Sequence, residues 1–127
     1  MPRDPAKGGP NDRERMQHML DAALDVRAYV TARTRADLDH HSMLRRALVN
    51  ALQVVGEAAA RVSDEGRSRV PALPWGQIVA TRHILVHVYW GIDADQIWNM
   101  AVEDVPALIG ALEAAFAGWP LSEPPTE

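Results

Sequence analysis

The spacing of the apolar residues constrains the fold of this chain more than any other feature. Across most of the sequence they recur at intervals of three and four, as in amphipathic helices, and almost no segment alternates as a strand does. The clearest stripe predicts a helix over residues 42–62. Its members are Leu44, Ala47, Leu48, Ala51, Leu52, Val55, Ala59 and Val62.

The same spacing and the signals at helix ends predict two more long helices. Asn11 or Asp12 can cap a first helix that runs to about Ala32, because a short polar side chain satisfies free N–H groups there. A third helix is predicted over residues 75–90, and Gly91 is placed to end it.

A last helix is predicted over residues 93–117, with Pro106 expected to kink it because proline lacks a backbone donor. Shorter turns are expected near residues 34–40 and 63–69. Gly56 interrupts good helix formers, and a glycine in that setting usually lets another helix approach closely. The sequence therefore predicts an all-α bundle of four main helices with a possible short extra helix.

Length and composition favour one globular domain. The chain has 127 residues, of which 47% are hydrophobic and 24% charged. We expect a flexible segment at 1–11, the domain at 12–118 and a proline-rich acidic tail at 119–127. The sequence has no cysteine, which excludes disulfides and thiolate chemistry, and no apolar run long enough to span a bilayer. A cytoplasmic location is expected.

Charge is divided unevenly along the chain. Residues 1–91 hold all 13 basic side chains against 10 acidic ones, whereas residues 92–127 hold 7 acidic side chains and no Lys or Arg. Twelve of the 13 basic residues are arginine, whose planar fork suits phosphate, although a GC-rich genome would produce the same bias. A phosphate-binding surface on one side of the molecule is compatible with the net charge of −4.

Arg82, His83, His87 and Tyr89 concentrate reactive side chains on the third long helix. At about 100° per residue, Arg82 and Tyr89 nearly superimpose in projection, whereas His87 lies about 140° from Arg82. A single ideal helix would therefore not aim Arg82 and His87 at one atom. Convergence requires Arg82 to wrap round on its long side chain, the helix to loosen near Gly91, or a second subunit to supply the missing half. The alternatives are a polar helix face with one buried histidine, or a metal shared by His83 and His87.

The run from Arg82 to Tyr89 resembles the Arg-(four residues)-His-x-Tyr motif of HepT-like toxins, in the HEPN superfamily of helical ribonucleases. Other landmarks occur in the family's order over about residues 12–116. They are Asp12-Arg13, His18-Met19-Leu20, Ala47-Leu48, Val55-Gly56-Glu57-Ala58, Pro74-Trp75, Asp104-Val105-Pro106 and Leu108. His83 stands where the family often has Asn or Asp, and Val88 where it often has Gly.

The resemblance implies a toxin of the HepT/MntA toxin–antitoxin type (type II/VII) that cleaves RNA as a homodimer, with two motifs facing across the two-fold axis. It implies catalytic roles for Arg82 and His87, and silencing by a nucleotidyltransferase antitoxin of the MntA type that adds AMP to Tyr89. An imidazole suits the proton transfers of metal-independent RNA cleavage, and arginine suits the phosphate. No cofactor, DNA partner or membrane partner is expected.

Supporting roles are less sharply defined. His83 can assist catalysis or lie at the helix surface, and Glu57 can pair with Arg82 or face solvent. Arg45 and Arg46 are candidates for contacts with the RNA backbone, or are simply solvated. The tryptophans Trp75, Trp90, Trp98 and Trp119 fit core or interface positions better than base-stacking platforms.

Two other function classes compete with the ribonuclease. A non-catalytic HEPN dimer could act as a scaffold for a nucleotidyltransferase partner, which the net acidic charge favours because polyanion binding usually needs a basic surface. A metal enzyme that uses His83 and His87 is the third class.

Overall fold

The computed structural model describes residues 11–82 and 93–121, and these ranges are helical with short connections and contain no strand. The elements in chain order are α1 (Asp12–Val30), α2 (Asp37–His40), α3 (Ser42–Ala60), α4 (Asp64–Ser68), α5 (described over 75–82), α6 (Ala94–Asn99), a π-helical segment (Met100–Asp104) and α7 (Val105–Ala117). The all-α prediction is confirmed. None of the helices in these ranges is both long and apolar enough to cross a membrane.

The core forms where α1 packs along α3 and where α7 packs on α1. Met16 and Met19 of α1, Leu48 of α3 and Leu112 of α7 are fully buried. The apolar stripe predicted for α3 largely faces this core, since Leu48, Ala51, Leu52, Val55 and Ala59 are all buried. Burial of one large apolar side chain stabilises the fold by roughly 1.5–3 kcal/mol. The burial of these apolar stripes holds the helices together.

Polar side chains fix where the helices begin. Asn11 caps α1 as predicted, with its Oδ1 accepting a hydrogen bond from the N–H of Glu14 at 2.9 Å. Asp12 accepts from the backbone N–H of Ser63 at 2.9 Å and from its hydroxyl, and Ser63 in turn caps α4. The start of α1 is thereby joined to the loop that follows α3.

The predicted last helix is interrupted. Asp93 caps α6, and the chain then adopts a π-helical segment before α7, with the N–H of Val105 donating to the carbonyl of Met100. Pro106 lies in the first turn of α7, where its missing donor is not required. The sequence predicts a kink at Pro106, and the structure has a π-helical segment on the N-terminal side of that residue. With this segment in place, Ile97, Ala101 and Val105 are all buried in the core.

The chain continues to contact the core after the end of α7. Trp119, placed in the tail by composition, packs against the core, and the guanidinium of Arg69 lies 3.9 Å from its ring centroid. Arg13, a buried charged residue of α1, donates from Nε to the carbonyl of Trp119 and stacks 3.4 Å from the Phe116 centroid. We call these contacts of Arg13 and Arg69 with Phe116 and Trp119 the terminal clasp.

Candidate functional site

The start of α5 is anchored by a tryptophan. Trp75 is buried, and its indole N–H donates to the carbonyl of Val70 at 3.0 Å. The guanidinium of Arg67 lies 5.5 Å from its ring centroid, and Arg67 also donates to the carbonyl of Ala59. Because Arg67 and Val70 lie in the connection between α3 and α5, these contacts set where α5 begins relative to α3.

Gly56 sets how closely α5 approaches α3. A methyl group built on Gly56 would lie 2.9 Å from Cγ of Arg82 and 3.3 Å from the carbonyl oxygen of Ile78. Real Cβ atoms essentially never come closer than 3.0 Å to a neighbour, so only glycine fits here without movement. The expectation that Gly56 admits a neighbouring helix is confirmed, and that helix is the one that carries Arg82.

Arg82 lies half-buried on α5 with the base of its side chain against α3. It forms no ion pair with any residue in the ranges 11–82 and 93–121. A guanidinium stays charged at all ordinary pH values and can donate two parallel hydrogen bonds to phosphoryl oxygens. Its position suits an anion contact at the edge of α3.

The remaining residues of the motif, His83, His87 and Tyr89, lie outside the described residues, and so do Trp90 and Gly91. Their roles, including the metal alternative for His83 and His87, stay predictions. Of the two residues expected to be catalytic, Arg82 and His87, the structure describes Arg82 alone.

Glu57 is exposed on α3, and no ion pair joins it to Arg82. Of the two alternatives left open for Glu57, pairing with Arg82 or facing solvent, the structure shows the solvent-facing one. The physical reason lies in the helix geometry: Gly56 faces α5, and the next residue is rotated about 100° away, toward solvent. A supporting role for Glu57 in catalysis stays a prediction.

The two arginines at the start of α3 differ. Arg45 is half-buried and donates from its guanidinium to the carbonyl of Leu38 at 2.8 Å, so it joins α3 to α2. Arg46 is exposed. Gly56 lies ten residues beyond Arg46, which is about 15 Å along the helix axis. Arg46 and Arg82 are therefore too far apart to share one site.

Several arginines that composition suggested for phosphate have structural contacts instead. Arg13, Arg67 and Arg69 stack on aromatic rings, and burial lowers the pKa of Arg13 from its ordinary value while Asp21 raises it by a smaller amount. Hydrogen bonds to Asp95, and then to Asp39, raise the pKa of Arg35. Sequence reasoning missed these roles because the aromatic partners are distant in sequence: Phe116 follows Arg13 by about a hundred residues, and Trp119 follows Arg69 by about fifty.

Two depressions flank α5 on the side of α6 and α7. An apolar groove of about 380 Å³ runs between α3, α5 and α7. Its lining includes Leu52, Val55, Leu73, Ile78, Val105 and Leu108. A second depression of about 600 Å³ is lined by Asp93, Asp95 and Asp104 together with uncharged residues. Residues 93–121 carry five carboxylates and no Lys or Arg, and one of these carboxylates, Asp95, pairs with Arg35.

The comparison with protein families decides which class of helical protein this is. Residues 19–115 match the family described as Ribonuclease HepT-like. The chain belongs to this family. The match spans the elements from α1 to α7 and includes both Gly56 and Arg82, and the resemblance inferred from the motif is confirmed.

Curated relatives of this HepT-like chain carry ribonuclease names. Over 90 residues it is 33% identical to "Putative RNase MJ1380" of Methanocaldococcus jannaschii, covering 71% of this chain and 83% of the relative. It is 33% identical over 67 residues to "Probable ribonuclease HepT" of Thermococcus cleftensis, covering 53% of this chain and 61% of that protein. "Putative RNase TTE0752" of Caldanaerobacter subterraneus is 28% identical over 93 residues, covering 73% and 83%. No solved structure matches the chain.

Proposed function

We propose that this HepT-like chain is the toxin of a toxin–antitoxin pair and a metal-independent endoribonuclease that acts in the cytoplasm as a homodimer. Its family suggests a ribonuclease of the toxin type. The observation that carries the proposal further is the position of Arg82, the first residue of the family motif, held half-buried against Gly56 with no ion pair to a described residue. Such a cation is available for a phosphate.

The proposed reaction is an attack of the ribose 2′-OH on its own 3′ phosphate. His87 of one subunit removes the 2′-OH proton as the new O–P bond forms, and His87 of the other subunit protonates the departing 5′ oxygen as its bond to phosphorus breaks. Arg82 binds the non-bridging oxygens, where charge builds up in the crowded transition state. The products are a 2′,3′-cyclic phosphate and a 5′-OH, and no metal takes part.

The proposed dimer follows from the geometry of the single helix that would carry both Arg82 and His87. On an ideal helix, residues five apart lie about 140° apart in projection, so one copy of the motif would not easily direct both Arg82 and His87 at the same phosphate. Two copies related by a two-fold axis supply two arginines and two histidines to one cleft. His83 and Glu57 would assist there, and Arg46, which is exposed, would contact the RNA backbone further along α3. Arg45 would contribute less, because it already binds the Leu38 carbonyl.

The test is cleavage of a defined RNA by the purified chain in the presence of EDTA. His87→Ala and Arg82→Ala are each expected to lower the rate by about 10²–10⁴, the usual contribution of a general acid–base group or an oxyanion contact. Arg27→Ala is the matched control, since Arg27 is an exposed arginine in the last turn of α1. Light scattering should give a mass of two 14.0 kDa chains for all variants.

Each contrary outcome points to a named alternative. Undiminished cleavage by His87→Ala would remove the proposed acid–base role. Loss of cleavage in EDTA would favour a metal enzyme that uses His83 and His87. A dimer that binds a nucleotidyltransferase but cleaves nothing would be the scaffold, which the net charge of −4 favours.

Regulation is proposed to act through Tyr89. On an ideal helix, residues seven apart lie on nearly the same face about 10 Å apart along the axis, so a continuous helix would bring Tyr89 to the face of Arg82. AMP added to the Tyr89 hydroxyl by an MntA-type nucleotidyltransferase would bring a phosphate and a base to that face. The phosphate would compete for Arg82, and the bulk would exclude RNA.

Intact-mass measurement tests this regulation. After incubation with the partner enzyme and ATP, the wild-type chain should gain the mass of AMP and lose cleavage activity. Tyr89→Phe should keep most activity and gain no mass. An equal gain of mass by both chains would show that another residue is modified.

A further inference from the structure

Two helix glycines have their missing side-chain space filled by another residue: Gly66 of α4, where the carboxyl group of Asp12 lies, and Gly56 of α3, where α5 lies. Around a methyl group at Gly56, the three nearest atoms all belong to α5: Cγ of Arg82 at 2.9 Å, the carbonyl oxygen of Ile78 at 3.3 Å and the backbone nitrogen of Arg82 at 3.6 Å. Around Gly76 in α5 and Gly110 in α7 there is nothing within 4 Å. The space at Gly56 is therefore filled by the base of the Arg82 side chain.

This contact restricts the most flexible part of the arginine. An arginine on an open helix surface samples many rotamers about its first side-chain bonds, and it must give these up to bind a phosphate. Here Cγ of Arg82 rests against the backbone of α3, which is itself held in the core by Leu52, Val55 and Ala59. Only the outer part of the side chain remains to be ordered by the substrate.

We propose that Gly56 is a positioning residue for Arg82, and this proposal rests on the proposed ribonuclease function. The absent side chain at Gly56 forms a seat for the first methylene groups of Arg82. The seat fixes the point from which the guanidinium extends at the edge of α3. A misplacement of the order of 1 Å at such a group costs about 10²-fold in rate.

If Gly56 serves only helix packing, Gly56→Ala has a different effect on the kinetics than if Gly56 positions Arg82. Gly56→Ala is expected to lower kcat for RNA cleavage by about tenfold or more while changing KM by less than about threefold, because binding along the RNA chain persists and the transition-state contact is lost. Gly76→Ala is the control: it is the same substitution on the helix that carries Arg82, at a position with open space, and should leave kcat and KM unchanged. Unchanged kcat in a folded Gly56→Ala chain would overturn the proposal.

A second measurement needs neither RNA nor activity, so it separates this proposal from the ribonuclease proposal. Thermal unfolding is compared for Gly56→Ala in the wild-type chain and in an Arg82→Ala chain, which has no Cγ at the seat. The midpoint should fall in the first background and stay level or rise in the second, since alanine is the better helix former once the closest contact is gone.

The outcomes are decisive in both directions. If Gly56→Ala fails to fold but the double variant Gly56→Ala/Arg82→Ala folds, the seat is supported. An equal fall of the midpoint in both backgrounds, or failure of both chains to fold, would assign the close contact to the Ile78 carbonyl. Gly56 would then serve helix packing alone.

Discussion

The described arginines differ in what their guanidinium groups contact. Arg13 and Arg69 stack on Phe116 and Trp119 at 3.4 and 3.9 Å from the ring centroids, which holds the C-terminal residues onto the helices. Arg82 has the base of its side chain fixed on Gly56 and forms no ion pair with a described residue. Composition alone treats these residues as equal, because the same planar group serves stacking and phosphate binding.

Substitution of the buried arginine tests this division. Arg13→Lys is expected to lower the free energy of unfolding by about 1–3 kcal/mol, because an ammonium group cannot both donate to the Trp119 carbonyl and stack flat on Phe116. Urea denaturation measures the effect. Arg27→Lys, an exposed site on the same helix, should change stability by no more than about 0.5 kcal/mol. Similar small changes in both variants would show that the stacking geometry of Arg13 contributes little.

At the scale of elements, the π-helical segment is where the structure departs most from the predicted helices. The bond from the N–H of Val105 to the carbonyl of Met100 spans five residues, one more than in an α-helix. Counting apolar residues at intervals of three and four assumes the α-helical period, so it cannot detect an extra residue in one turn. It therefore predicts a single helix over 93–117.

Removal of one residue from this segment should restore a continuous helix. Deletion of Glu103, which is exposed, combined with Pro106→Ala should give a folded chain with a melting temperature within about 5 °C of the wild type. Deletion of Gly110 from the regular part of α7 should cost about 2–5 kcal/mol, because it rotates the following residues by about 100° and withdraws Leu112 from the core. Equal damage by both deletions, measured by thermal unfolding, would contradict this account.

At the scale of the whole molecule, local features were predictable and long-range ones were not. The periodicity and capping residues predict α1, α3, the turn that contains α4 and the start of α6, since these depend on neighbours in sequence. The seat of Arg82 on Gly56 could be anticipated only as some close helix approach, because which helix arrives is decided by tertiary packing. That Arg82, His87 and Tyr89 form one site stays a prediction from the resemblance to the HepT-like family, because an ideal helix directs Arg82 and His87 about 140° apart.

The terminal clasp has a topological consequence. Arg13 and Trp119 are 106 positions apart in sequence but joined by a hydrogen bond, so the two ends of the helical domain meet at one pole. Domains whose ends lie together tolerate circular permutation, because new termini can be opened elsewhere without straining the core. A chain in which residue 121 is joined to residue 11 through a short glycine–serine linker, with new ends opened in the exposed loop at Ala32–Arg33, should fold with the same helical circular-dichroism spectrum. Such a result would show that the arrangement of the helices in space does not depend on their order along the chain. A circular-dichroism spectrum typical of an unfolded chain would show instead that the native order is required.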